Sequence, residues 1–164
     1  MALKFLSIVR NVLLGELKTN ADFDVLAPVD FLISAHHRIS RLAAQVRLHA
    51  DAAPYPQFAC ELRRIASEKQ ADAEELKKRI ETFGARPWPS MPVPGSGQNH
   101  WERMNRDLKD QKSLDDFLQQ QEIGVAGQET GIARLIEQLK ARQAEHRKTL
   151  TKLVALADPQ ATQT

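Results

Sequence analysis

Residues 85–99 read ARPWPSMPVPGSGQN, with four prolines and two glycines. Proline removes amide donors and fixes φ, and glycine frees it, so neither helix nor strand can run through this stretch. On both sides of it the sequence is built for helix. Ala, Leu, Gln, Lys, Arg and Glu dominate, and apolar residues return every three or four positions. Helical periodicity covers about Pro28–Asp51, stops at Ala53-Pro54-Tyr55-Pro56, and resumes over Gln57–Phe83, with Gly84 suited to a C-terminal cap. A third helix is predicted from Asn99, a good N-cap, towards Gly124–Gly127, and a fourth over Gln128–Ala157. Helices of roughly 24 to 30 residues are about 36–45 Å long. Short turns make the first and last pairs antiparallel hairpins, and residues 85–99 join the hairpins as one long crossover. The expected fold is therefore all-α, an antiparallel four-helix bundle over 24–158 preceded by a short amphipathic helix in 1–20 and followed by a flexible tail, 159–164.

Composition excludes several function classes. With 23 basic and 21 acidic residues and a net charge of +2, the chain has no electrostatic case for nucleic acid or anionic lipid. No run approaches the ~18 apolar residues of a membrane span. The opening MALKFLSIVRNVLLGELK is interrupted by Lys4, Arg10, Glu16 and Lys18, unlike a signal peptide. Its Leu3, Leu6, Leu13 and Leu17 share a side at helical spacing, which leads us to expect a homodimer contact. A single cysteine, Cys60, rules out an internal disulfide framework and fits the reducing cytoplasm. No phosphate-cradling glycine loop, nucleophile elbow or zinc-finger spacing is present.

The informative signal is where polar residues break the core stripe. In the second helix the stripe is Phe58, Leu62, Ile65, Lys69, Asp72, Leu76, Ile80 and Phe83. In the fourth it is Ile132, Ile136, Leu139, Gln143, His146, Leu150, Leu153 and Ala157. Both helices carry a polar pair at i and i+3, on one face and inside the stripe. Setting Leu76 on Leu150 aligns the two helices and reads as a weak internal duplication. Counting from the hairpin turns brings the first helix to these pairs at His36, about 60° from Ile39 and inside the apolar stripe of Leu32, Ile39, Ala43 and Val46, and the third at Gln111, with Asp115 one turn on. One mid-bundle layer is thus expected to collect His36, Lys69, Asp72, Gln111, Asp115, Gln143 and His146.

This arrangement, with the stretches EKQADAEELKKRIETFGARPWP and NHWERMNRDL followed by RQAEHRKTLTKLVALADPQA, resembles the ferritin-like, rubrerythrin-type superfamily over roughly residues 24–160. The resemblance implies a ferritin-like bundle with a carboxylate-bridged dimetal site, built from a Glu on each of two helices and Glu-x-x-His on each of the others. Carried over to this chain, one Glu-x-x-His reads Gln143-x-x-His146 and the other Lys69-x-x-Asp72, while the lone Glu positions read His36 and Gln111. Two divalent ions need several anionic oxygen donors. Here only Asp72 and Asp115 supply charge, and Lys69 subtracts from it.

Two readings follow. In the first, the layer is a hydrogen-bonded network, with Lys69 paired to Asp72 or Asp115 and the glutamines bridging, and the protein is a non-catalytic binding or structural module without a cofactor. In the second, His36, Asp72, Asp115 and His146 form an altered site for zinc or iron, and the protein is a metal-binding, oxidoreductase-like relative. Elsewhere, His37 and His100 are expected to be solvated or capping and His49 to sit at the edge of its stripe. Trp88 and Trp101 are expected to pin the crossover, and the charges of 137–148 to form a solvated face.

Overall fold

The computed structural model describes residues 26–89, 97–124 and 131–157. They form four helices, α1 (Pro28–Asp51), α2 (Pro56–Thr82), α3 (His100–Gly124) and α4 (Gly131–Leu156). The helix expected in 1–20 and the tail lie outside the described residues.

The boundaries have local causes. Pro28 and Pro56 open α1 and α2, where a missing amide proton costs nothing and the fixed φ suits the first turn. Gly84 closes α2 at φ 70°. Its N–H bonds Glu81 O at 2.9 Å while Ala85 N–H reaches Ile80 O at 3.2 Å, the paired bonds of a Schellman cap. At α3 the Glu102 N–H donates to Asn99 Oδ1 at 2.9 Å, and the Glu102 carboxylate accepts from the Gln98 N–H at 2.7 Å, a reciprocal cap.

Chain direction follows from two contacts between α1 and α3. Near the start of α1, the Leu26 N–H donates to Gln121 Oε1, late in α3, at 3.0 Å. Near the end of α1, His49 meets Asp107, early in α3, at 2.8 Å. The two helices therefore run antiparallel. Since α2 returns to the end where α1 began, the connection to α3 must climb the whole bundle. Trp88 marks its path, set edge-on against His37 of α1 with ring centroids 5.5 Å apart. An up-down-up-down bundle with short loops has no such crossover.

Between the helices lies one apolar core, including Leu32, Ile39, Val46, Leu62, Ile65, Leu76, Met104, Leu118, Leu139 and Leu150. Phe31 and Phe117 stack across α1 and α3 at 5.9 Å. Truncating one of these fully buried leucines to Ala costs roughly 2–5 kcal/mol.

Candidate functional site

The core is interrupted at mid-height. Lys69 and Asp72 of α2, Gln111 of α3, and Gln143 and His146 of α4 are all buried. Lys69 is fully excluded from solvent. Its ammonium donates to Gln111 Oε1 at 2.5 Å and to Gln143 Oε1. A lysine ammonium can only donate, so both glutamines must turn their oxygens to it. Their amide nitrogens are then free to face carboxylates. Gln143 Nε2 donates to Asp72 Oδ2 at 2.9 Å, and Gln111 Nε2 to Asp115 Oδ1 at 2.8 Å. Each amide thus relays between the ammonium and an acid. The glutamines bridge as expected, but no direct hydrogen bond or ion pair joins Lys69 to either aspartate, which corrects the expected pairing.

Charges at the edge of the layer complete it. Arg142 Nε lies 2.8 Å from Asp72 Oδ1, and an Arg147 guanidinium nitrogen lies 3.1 Å from Asp115 Oδ2 as an ion pair out of line for a hydrogen bond. These arginines sit in the run expected to form a solvated face. Their long side chains lie half in solvent and reach back to the layer. Glu68, which the periodicity does not point to, approaches His146 Nε2 at 2.7 Å and also holds Arg64 at 2.8 Å.

Burial sets the protonation. It pushes the Lys69 ammonium down to about 7, although Asp115 and Asp72 pull the other way. Burial and the Lys69 charge push His146 down to about 4, against the opposing pull of Glu68. His146 is therefore neutral at pH 7. Its Nε2–H donates to the Glu68 carboxylate, and its Nδ1 lone pair faces Gln143 Oε1 at 3.3 Å, a contact that becomes a hydrogen bond only if the ring is protonated. Burial raises Asp72 and Asp115, partly offset by their arginines and amides. Burial also pushes Glu68 up, but hydrogen bonds from His146 and Arg64 outweigh it and hold its pKa low.

His36 stands outside this network. Its Nε2 is 3.4 Å from Ser40 Oγ and its Nδ1 has no partner. It lines a cleft of about 290 Å3 with Gln70, Glu74 and Lys77, so it looks out over the α1–α2 groove, and burial lowers its pKa. At about 60° from Ile39 the residue lies at the stripe's edge, and Ala35, Ile39 and Leu42 occupy the buried face instead. His36 therefore does not join Asp72, Asp115 and His146, the other candidate metal ligands.

A second buried polar cluster lies towards the α1–α2 hairpin. Asp107, fully buried, accepts on Oδ1 from Gln45 Nε2 at 2.9 Å and faces His49 Nδ1 at 2.8 Å. His100 is also buried, edge-on to Phe58 at 4.9 Å, so the solvated or capping role expected for it is corrected; Asn99 makes the cap. Met104, Asp107, Gln111, Leu114 and Leu118 share one spacing of three and four, a signal in the sequence that places Asp107 on the buried face of α3.

The donor set does not match the needs of two divalent ions. The central position holds a cation, its neighbours are neutral amides whose oxygens already accept from it, and both aspartates face arginines. Among the described residues no group of three or more His, Cys, Asp or Glu side chains is placed to hold a metal ion, and no helix is long and apolar enough to cross a membrane.

Solved structures of similar shape include two bacterioferritins. BfrA from M. tuberculosis matches with a TM-score of 0.70 and 21% identity, over 79% of this chain and 83% of that one. The Rhodobacter capsulatus bacterioferritin, described with a metal-free dinuclear site and heme iron, matches with a TM-score of 0.69 and 17% identity, over 85% and 88%. The fold is ferritin-like. No protein-family model and no curated protein matches the sequence. At these identities the likeness establishes the ferritin-like fold alone, and function has to be argued from the side chains.

Proposed function

We propose that this chain is a ferritin-like bundle in which an internal ammonium has replaced the metal pair, and that it acts as a non-catalytic binding or structural module. The observation that supports this reading is Lys69, buried at mid-height and bonded by the amide oxygens of Gln111 and Gln143. A lysine there brings its own positive charge to a polar layer that the fold family fills with cations. The bundle can then be held together with no bound ion. In this reading the standard di-iron site is lost, the protein needs no cofactor, and it is not an enzyme. It is cytoplasmic, consistent with one exposed thiol at Cys60, and it pairs with a second copy through residues 1–20.

Stability in the presence and absence of metal tests the proposal. The melting temperature should be unchanged by EDTA and by added iron, manganese or zinc. A metalloprotein would instead gain about 2.7 kcal/mol at a hundred times the dissociation constant. A chelator-sensitive melt would favour the altered zinc or iron site at Asp72, Asp115 and His146.

A further inference from the structure

We infer that the cleft between α1, α3 and the start of the crossover binds a small planar carboxylate. The cleft encloses about 340 Å3 and is lined by Arg38, Arg41 and Gln45 of α1, Asp110 and Ser113 of α3, and Trp88. That volume is at the low end of ligand sites, which run roughly 300–1,000 Å3, and suits one conjugated ring bearing an acid group.

Its charge is unbalanced in favour of an anion. Several arginines on the bundle, such as Arg64 and Arg147, sit against carboxylates. Among the described residues Arg38 and Arg41 have no such partner. Arg38 lays its guanidinium 4.5 Å over the Phe117 ring, which engages its face and leaves its in-plane N–H groups available. Arg41 stands one turn further along the same wall. The acid lining this cleft, Asp110, already accepts on Oδ2 from Gln45 Nε2 at 3.0 Å and from Arg106 Nε at 3.1 Å. The cleft therefore offers unused guanidinium donors, and one oxygen of its single carboxylate is already engaged.

Trp88 supplies the planar element. Its indole is edge-on to His37 and remains 54% exposed, a flat apolar wall beside two guanidinium forks that match a carboxylate. The neighbouring cleft, which shares His37, Arg41 and Trp88, is lined by Glu74 and Lys77 of α2 and lacks the second guanidinium fork that Arg38 supplies here. This inference is independent of the mid-bundle layer and stands whether or not that layer takes a metal.

Benzoate is the probe, with acetate as the acid without a ring and benzyl alcohol as the ring without an acid. In the full-length protein, benzoate titration followed by NMR should shift the Trp88 indole N–H and saturate at roughly millimolar concentration, as a nine-heavy-atom ligand allows. The Trp101 signal should move little. Acetate and benzyl alcohol should bind at least tenfold more weakly. Arg41→Gln and Trp88→Leu, both at exposed positions, should each weaken benzoate at least tenfold, while Arg63→Gln, near the start of α2 and paired with Asp51 outside the cleft lining, should not. No saturable shift, equal binding of benzyl alcohol, or unchanged binding in both Arg41→Gln and Trp88→Leu would overturn the inference.

Discussion

Gln143 donates through Nε2 to Asp72 at 2.9 Å while its Oε1 accepts from Lys69. One amide thus stands between the ammonium and the acid. Gln111 repeats the arrangement towards Asp115. Lys69 and Gln143 are also the positions that the alignment of α2 on α4 sets against each other, and they meet where the two helices face one another. A buried charge is costly unless it is hydrogen-bonded, and here two amide oxygens accept from the ammonium.

Removing only the lysine should therefore be harmful. Lys69→Met leaves two buried amide oxygens without a donor, at a cost of roughly 1–3 kcal/mol each. The triple variant Lys69→Met, Gln111→Leu, Gln143→Leu removes the orphaned amide oxygens but also takes the amide donors from Asp72 and Asp115, so it should recover only part of that loss. Urea denaturation of the two variants checks this, and additive losses would count against a coupled network.

The pH dependence should carry the signature of Lys69. Its pKa is about 7 when folded and 10.5 when exposed. Between these values the unfolded chain binds the extra proton, so stability should rise as pH rises from about 7 to 10.5. His146 acts at lower pH, with about 4 folded against 6.5 unfolded. The unfolded chain again binds more protons in that window, so stability should fall as pH drops from 6.5 towards 4. Denaturation curves of the wild type minus those of Lys69→Met should contain the first slope, and minus those of His146→Gln the second.

Much of this layer was legible in the sequence, for identifiable reasons. Positions 69, 72, 143 and 146 fall on apolar stripes of regular period, so a polar residue there had to be buried. His36 lay at the edge of its stripe, where a modest rotation decides between core and groove, and only packing against α2 settles it. Glu68 sits beside the stripe rather than on it, and it enters the layer through the tip of a long side chain. Arg142 and Arg147 do the same, which a pattern of alternating charges does not reveal. His100 is buried because Phe58, distant in sequence, covers it.

Asp107 offers a check on the second buried cluster, towards the α1–α2 hairpin. It is fully buried and accepts from Gln45 while facing His49. Asp107→Ala should destabilise the bundle by roughly 2 kcal/mol or more, because polar groups around it lose their acceptor. A loss in urea denaturation below about 0.5 kcal/mol, the range of ordinary surface substitutions, would mean that the cluster contributes little.

The apolar start of the chain carries the expectation of a dimer. Deleting residues 1–20 should halve the solution mass measured by light scattering while leaving the helical signal of the bundle in place. An unchanged mass would remove this segment as the interface.

The proposed replacement of metal by an ammonium is tested most directly by elemental analysis of the untagged protein, purified without chelator, before and after anaerobic loading with iron, manganese and zinc. The outcome expected is metal at trace level throughout. Near-stoichiometric metal that disappears in the Asp72→Ala, His146→Ala double variant would contradict it and place a working metal centre in the layer.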